Sequence, residues 1–443
     1  MPADLSFLTK DELLGLVAEQ GKVIVQLQQR VAALEAQLKG RHEGSGGMPG
    51  NKPASTPPQE RKAGRTPRPH GFSRPRSTPT EHVDHAVAVC PDCGTALQGG
   101  WVQRTREVLE VPFTPVRVVE HRFLARICPR CNKRRVVPAA MADGVMGKPR
   151  LGSTVLSLIA SLRTTGRLPL ATIQWLLATV YGLPLSEGGI VGALHTVARQ
   201  GTPAVAAIRD RIRASPVVHA DETGWREDGK NGYVWTFSTP QERYFMRGNR
   251  SKGIVDEVLG PDFQGVLVSD FYAAYDHYAG LHQRCWAHLL REVHSLRVLY
   301  LEDQALAAWA GKVRAVFDRG KAVREPDHRR RQQEQRRCSQ DLLAACQPFM
   351  ADEAAPQSRL CRRIARYLGE LLTFVGDPTV PADNNAAERS LRPLVIQRKI
   401  SGGTRSAQGT TTHMTLSTLF STWQVQGLNP LTACRSLLTS PQL

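Results

Sequence analysis

The stretch Val217-Val218-His219-Ala220-Asp221-Glu222-Thr223-Gly224-Trp225 opens as a short apolar run and ends it on an acid. The same design recurs in Gly265-Val266-Leu267-Val268-Ser269-Asp270-Phe271-Tyr272. Between them, Tyr233-Val234-Trp235-Thr236-Phe237 alternates aromatic and polar residues, and Arg243-Tyr244-Phe245-Met246-Arg247 reads as a further strand. Asn231-Gly232 predicts a hairpin turn between the first two strands. A helix is expected over 251–259, ahead of the buried strand Val266-Leu267-Val268.

Three antiparallel strands, a crossover helix and a parallel fourth strand spell a ribonuclease-H-like α/β domain, expected over 215–400. In that arrangement the ends of the first and fourth strands lie side by side, so Asp221 and Asp270 become neighbours. A third acid, Glu388, lies in Asp383-Asn384-Asn385-Ala386-Ala387-Glu388-Arg389, where Pro381 and Asp383 mark a helix start. Asn384 and Asn385 stand one turn earlier on the same face. Taken singly, a strand-end aspartate is an ordinary turn cap. Taken together, three carboxylates suit two magnesium or manganese ions, hard cations that prefer oxygen ligands. Such a pair, roughly 3.5–4 Å apart, clamps the attacking and leaving oxygens of a phosphodiester. The expected roles are Asp221 bridging both ions, with Asp270 and Glu388 each completing one.

Arg389, Arg392, Arg398 and Lys399 follow Glu388, placed for phosphates. The gap between Asp270 and Glu388 holds helical sequence at 305–316 and 358–372 and a charged run at 329–337, which predicts an all-helical insertion at about 300–375. In Gln283-Arg284-Cys285-Trp286-Ala287-His288, Cys285 and His288 alone make no closed metal site. They are expected to shape the fifth strand and the helix after it, with His288 a candidate contact to phosphate or water.

Cys90-Pro91-Asp92-Cys93 and Cys128-Pro129-Arg130-Cys131 are paired Cys-x2-Cys turns, the spacing of one structural zinc in a small β domain at 81–140. Strands are expected between the two pairs, around Val108, Val116 and Val118. Such a domain would present Arg130, Lys133, Arg134 and Arg135 to DNA. Upstream, Val17, Ile24, Val31 and Leu38 recur every seven residues, with Leu13, Gln20, Leu27 and Leu34 as companions. Residues 1–39 therefore read as a coiled-coil helix, the alternative being an amphipathic helix packed on its own domain. Residues 40–80 are rich in Gly, Pro, Ser, Lys and Arg and read as a basic linker. The region 141–214 reads as helical, with either a helix-turn-helix or plain scaffold packing. Residues 401–443 are expected as a C-terminal tail.

The whole chain has 443 residues, enough for a multidomain protein, and a formal charge of +18. That surplus points to a polyanionic partner, DNA or RNA first. The longest apolar stretch, 151–162, is broken by Ser and Gly and too short to span a bilayer. No secretory pattern opens the sequence, and nine cysteines fit metal binding in a reducing compartment better than a disulfide framework. A cytoplasmic, nucleoid-associated protein is expected.

These motifs, above all His219-Ala220-Asp221-Glu222-Thr223, Ser269-Asp270-Phe271-Tyr272-Ala273-Ala274-Tyr275, Cys285-Trp286-Ala287-His288-Leu289 and Asp383 to Arg389, resemble the transposases of the insertion-sequence-sixty-six family, bacterial DDE enzymes. Gly427-Leu428-Asn429-Pro430 also fits. The resemblance covers nearly the whole length, and Asp221, Asp270 and Glu388 fall on the family's catalytic triad. It implies binding to terminal inverted repeats, exposure of 3′-hydroxyls, strand transfer into target DNA, a homodimer or higher oligomer, and accessory proteins from the same element. Asn51-Lys52-Pro53-Ala54-Ser55 and Ser401-Gly402-Gly403-Thr404-Arg405 are looser than the family's pattern. Two other readings stand beside it: a retired transposase kept as a DNA-binding regulator, and a ribonuclease-H-like nuclease without joining activity.

Overall fold

A computed structural model describes residues 78–109, 116–136 and 151–439. The coiled coil expected at 1–39 and nearly all of the linker at 40–80 lie outside the described residues. Two compact units divide the chain, residues 1–110 and 111–443. In the first, an isolated antiparallel bridge joins Val89 to Ala96 around the turn that holds Cys90 and Cys93.

In the second unit, β1 (Ala125–Ile127) and β2 (Arg134–Val136) form a hairpin around Cys128 and Cys131. Strands were expected between the cysteine pairs around Val108, Val116 and Val118; among the described residues β1 does lie between the pairs, but next to Cys128, and its partner β2 follows Cys131. Val118 is 91% exposed, so the alternating pattern there has no second layer to bury against. Helices α1 (Ser153–Thr164), α2 (Leu170–Tyr181) and α3 (Glu187–Arg213) follow. Gly182 ends α2 in the left-handed conformation at φ 62°, and the Ser186 hydroxyl caps α3 by accepting from Gly189 N–H.

Next come β3 (Val217–Glu227), β4 (Lys230–Ser238), β5 (Arg243–Gly248), α4 (Gly253–Leu259), β6 (Val266–Ser269) and β7 (His282–Arg284). The sheet order is β5-β4-β3-β6-β7, antiparallel through β5, β4 and β3 and parallel across β3, β6 and β7. The β3–β4 turn differs from expectation. It falls at Asp228-Gly229, both at positive φ (50° and 74°), while Asn231 and Gly232 lie inside β4 opposite Arg226 and Trp225. Both dipeptides suit a type I′ turn. The longer hairpin carries Trp225 into a small core with Val234, Phe245, Leu391, Leu394 and Met414.

Helices α5 (Trp286–Leu299), α6 (Gln304–Ala322), α7 (His328–Cys346), α8 (Ser358–Arg366), α9 (Leu368–Leu371) and α10 (Thr373–Gly376) fill the long interval before α11 (Asn385–Ser401). Two more, α12 (Ala407–Val425) and α13 (Pro430–Thr439), occupy the stretch read as a tail. They are core helices: Leu419, Phe420 and Leu438 pack with Leu156 and Ile159 of α1, Val197 of α3, and Val218, Trp235 and Leu267 of the sheet. Thr418 and Thr422 of α12 accept from the main-chain N–H groups of Phe245 and Arg243, covering the free edge of β5. The opposite sheet face, Val217, Val266 and Val268, packs on Trp286, Leu289, Trp309, Val313 and Leu342 from α5, α6 and α7. Each such aliphatic side chain contributes roughly 1.5–3 kcal/mol when fully buried, so both faces anchor the centre of the sheet, where the acids sit. Among the described residues no helix is long and apolar enough to cross a membrane.

Candidate active site

Strand β3 pairs β6 with Val217 facing Val266, Val218 facing Leu267 and His219 facing Val268. Continuing that register sets Asp221 level with Asp270. Alternation puts Asp221 on the face of Val217 and His219, and Asp270 on the face of Val266 and Val268, the side covered by α5. One oxygen of each is fixed by main chain: Asp221 Oδ1 accepts from Glu222 N–H (2.9 Å) and Asp270 Oδ1 from Tyr272 N–H (2.9 Å).

Asn384 delivers the third acid. It is the N-cap of α11 and 1% exposed, and its amide is spent on β3 rather than on its own helix. Nδ2 donates to Ala220 O (2.7 Å), and Oδ1 accepts from His219 Nδ1 (3.1 Å). Glu388 N–H closes the first turn on Asn384 O (3.2 Å), so Glu388 starts from a point tied to the residue beside Asp221. Its Oε1 is buried without a hydrogen-bond partner; His288 Nδ1, also buried and unpartnered, is 3.8 Å away, too long for a hydrogen bond.

Burial, followed by the charges of Glu222, Asp270 and Glu388, pushes the Asp221 carboxyl up to about 7. Four carboxylates therefore share one field, an arrangement that a divalent cation relieves. Burial also raises Glu222, whose oxygens accept from the Tyr275 hydroxyl (2.8 Å) and from Arg250 Nη2 (2.9 Å). Arg250 lies 4.0 Å from the centre of the Tyr272 ring. Beneath Asp270 sits Arg284, with no exposed side-chain surface. It donates to Asp270 O (2.9 Å), Asp276 Oδ1 (2.5 Å) and Glu370 Oε2 (2.6 Å). Neither Arg250 nor Arg284 stood out in the sequence; the local signals were adjacency to Tyr- and Cys-bearing motifs, too common to single them out.

Of the candidate DNA contacts, Arg389, Arg392 and Lys399 are exposed along α11, as are Arg130, Lys133, Arg134 and Arg135 on the β1–β2 hairpin. Arg398 is different: its Nη1 donates to Thr223 Oγ1 (3.2 Å) and to Gly224 O, fastening α11 to β3. Each Cys-x2-Cys segment is a tight turn. Gly94 N–H donates to Cys90 O and Asn132 N–H to Cys128 O, with Gly94 and Asn132 at positive φ. The Thr95 hydroxyl lowers the Cys93 thiol, aided by Cys90, and main-chain N–H from Cys131 lowers Cys128. Thiols biased toward thiolate within each turn suit a zinc ion.

Residues 148–412 match the model of the Transposase IS66 family, and residues 88–132 match that of the zinc-finger binding domain of transposase IS66. The chain is thus of the DDE transposase class, a DNA-processing enzyme. It belongs to the IS66 family of transposases. It is similar to three proteins of Sinorhizobium fredii. Uncharacterized protein y4jD is 24% identical over 384 residues, 79% of this chain and 73% of the relative. Uncharacterized protein y4qI is 25% identical over 265 residues, 52% and 49% of the two chains. Uncharacterized protein y4jO is 39% identical over 71 residues, 16% and 22%.

Proposed function

We propose that this chain cleaves DNA strands at the ends of an insertion sequence and joins them to target DNA, using a ribonuclease-H-like domain. The observation that carries the reading is the β3–β6 register, which continued by two residues sets Asp221 level with Asp270, with Glu388 close enough to shift Asp221. The order β5-β4-β3-β6-β7, antiparallel then parallel, supports the fold reading. An all-oxygen donor set, one carboxylate raised by burial and then by its acidic neighbours, and the unpartnered Glu388 Oε1 together fit magnesium or manganese. Two such ions, held by Asp221, Asp270 and Glu388, would activate water or a 3′-hydroxyl and stabilise the leaving oxygen.

The chain's own part is positioning. Glu222 and Tyr272 main chain orient the aspartates, and Asn384 sets the reach of Glu388. His288, beside Glu388, contacts phosphate or water. Arg389, Arg392 and Lys399 hold the DNA backbone near the acids, while Arg130, Lys133, Arg134 and Arg135 hold it at the finger. Arg398 serves the frame instead. Cys90, Cys93, Cys128 and Cys131 hold one structural zinc, a closed set that leaves no catalytic position. DNA ends, target DNA, a second copy of the chain and accessory proteins of the element are the partners.

Incubation with a duplex carrying the element's end, in magnesium, tests the reading. Joined product supports it. Hydrolysed product alone would make the chain a nuclease, and binding without either product a regulator.

A further inference from the structure

Cys285, His288 and Glu388 form a cluster whose mixed donor chemistry an all-oxygen magnesium site does not need. Cys285 caps α5 and His288 lies one turn on, so the two share a helix face. Glu388 stands in the first turn of α11. The Cys Sγ, one His ring nitrogen and one Glu oxygen all lie within 4.8 Å of one another. The two helix starts are fastened together, Trp286 N–H donating to Ala382 O (3.0 Å) and Asn384 N–H to Cys285 Sγ (3.1 Å). The cluster is therefore part of the frame. Two of its donors, His288 Nδ1 and Glu388 Oε1, are buried without hydrogen-bond partners. A buried unsatisfied polar group is unfavourable, and one cation shared between the two relieves both.

Donor identity selects the ligand. Magnesium takes oxygen and keeps its waters, whereas thiolate and imidazole favour zinc and its chemical neighbours. Three protein ligands with a fourth position open is the usual form of a non-structural zinc site. We propose that Cys285, His288 and Glu388 bind a zinc-class cation, and that binding withdraws Glu388 from the magnesium pair. The Cys285 thiol proton leaves to solvent as the metal–sulfur bond forms. Zinc binding stands on the geometry alone; competition with magnesium rests on the role proposed above for Glu388.

The test uses the full chain equilibrated with zinc in the absence of magnesium, against Cys285→Ser and His288→Gln. Wild type should hold about one more zinc per chain than either variant, beyond the ion at the four finger cysteines. With cobalt in place of zinc, the same difference should carry a thiolate-to-metal charge-transfer band. Equal metal content and affinity in all three proteins would overturn the proposal. Should Cys285→Ser not fold, His288→Gln, at a partly exposed position, decides alone. Millimolar magnesium should weaken the additional zinc; an unchanged zinc affinity overturns the competition. Additional zinc uptake in a chain that neither cuts nor joins DNA would sink the catalytic reading and leave this site intact. Normal joining without the additional zinc would do the reverse.

Discussion

Asp221, inside β3, and Asp270, the residue after β6, stand level by continuation of the parallel register, and burial followed by the charges of Glu222, Asp270 and Glu388 makes ionisation of Asp221 unfavourable, up to about pH 7. A cation held between them removes that penalty. Magnesium should therefore raise the melting temperature of the wild-type chain, by about 2.7 kcal/mol of stability at a hundred times its dissociation constant. Asp221→Asn should melt no lower than wild type in chelator and gain little from magnesium. Thermal melts in chelator and in magnesium read both; equal gains in the two proteins would remove Asp221 from the metal site.

Asn384 connects α11 to β3 through two buried hydrogen bonds, to Ala220 O and His219 Nδ1. Asn384→Ala leaves both partners unsatisfied and should cost about 2–6 kcal/mol, at roughly 1–3 per buried group. It should also lower strand transfer under conditions where the variant remains folded, because Glu388 loses its anchor. Urea unfolding gives the first quantity and the joining rate at saturating DNA the second.

Arg284 balances Asp276 and Glu370 while holding the Asp270 carbonyl. Asp276 keeps Arg366 and the Tyr367 hydroxyl, so the loss falls mainly on Glu370 and the Asp270 carbonyl, and Arg284→Met should destabilise by about 1–3 kcal/mol. Arg284→Lys keeps the charge but not the planar fork and should recover only part of it. Chemical denaturation of the three proteins measures the order.

His413 is buried against Trp225, ring centres 5.4 Å apart, and burial with the Arg163 charge lowers it to about 3. The unfolded chain takes up its proton near pH 6.5, well above the folded value. Its contribution is thus fully present above about 6.5 and is lost as pH falls toward 3. At pH about 4 the loss is on the order of 3 kcal/mol. Stability profiles of wild type and His413→Phe should diverge in that window; parallel profiles would show that His413 protonates freely in the fold.

Local pattern made part of this legible. Alternation located β4 and β5, and the apolar runs located the segments of β3 and β6 that lead to Asp221 and Asp270; Asp270 follows the end of β6 as expected, whereas β3 continues to Glu227 and Asp221 lies inside it. Ser186 and Gly182 marked helix ends correctly. Choices resolved only by tertiary packing were not legible. Asp228-Gly229 and Asn231-Gly232 are equivalent turn signals until Trp225 finds Leu391, Leu394 and Met414. The threonines of α12 look like tail sequence until their hydroxyls meet the edge of β5. Arg284 and Asn384 act through partners far along the chain, which no window of sequence contains.

The most direct measurement is strand transfer in magnesium by wild type, Asp221→Asn, Asp270→Asn and Glu388→Gln, with DNA-end binding measured alongside. Loss of several kcal/mol of transition-state stabilisation should lower joining by about 10³-fold or more in each variant, with binding retained. Near-normal joining by any one of the three would contradict the triad.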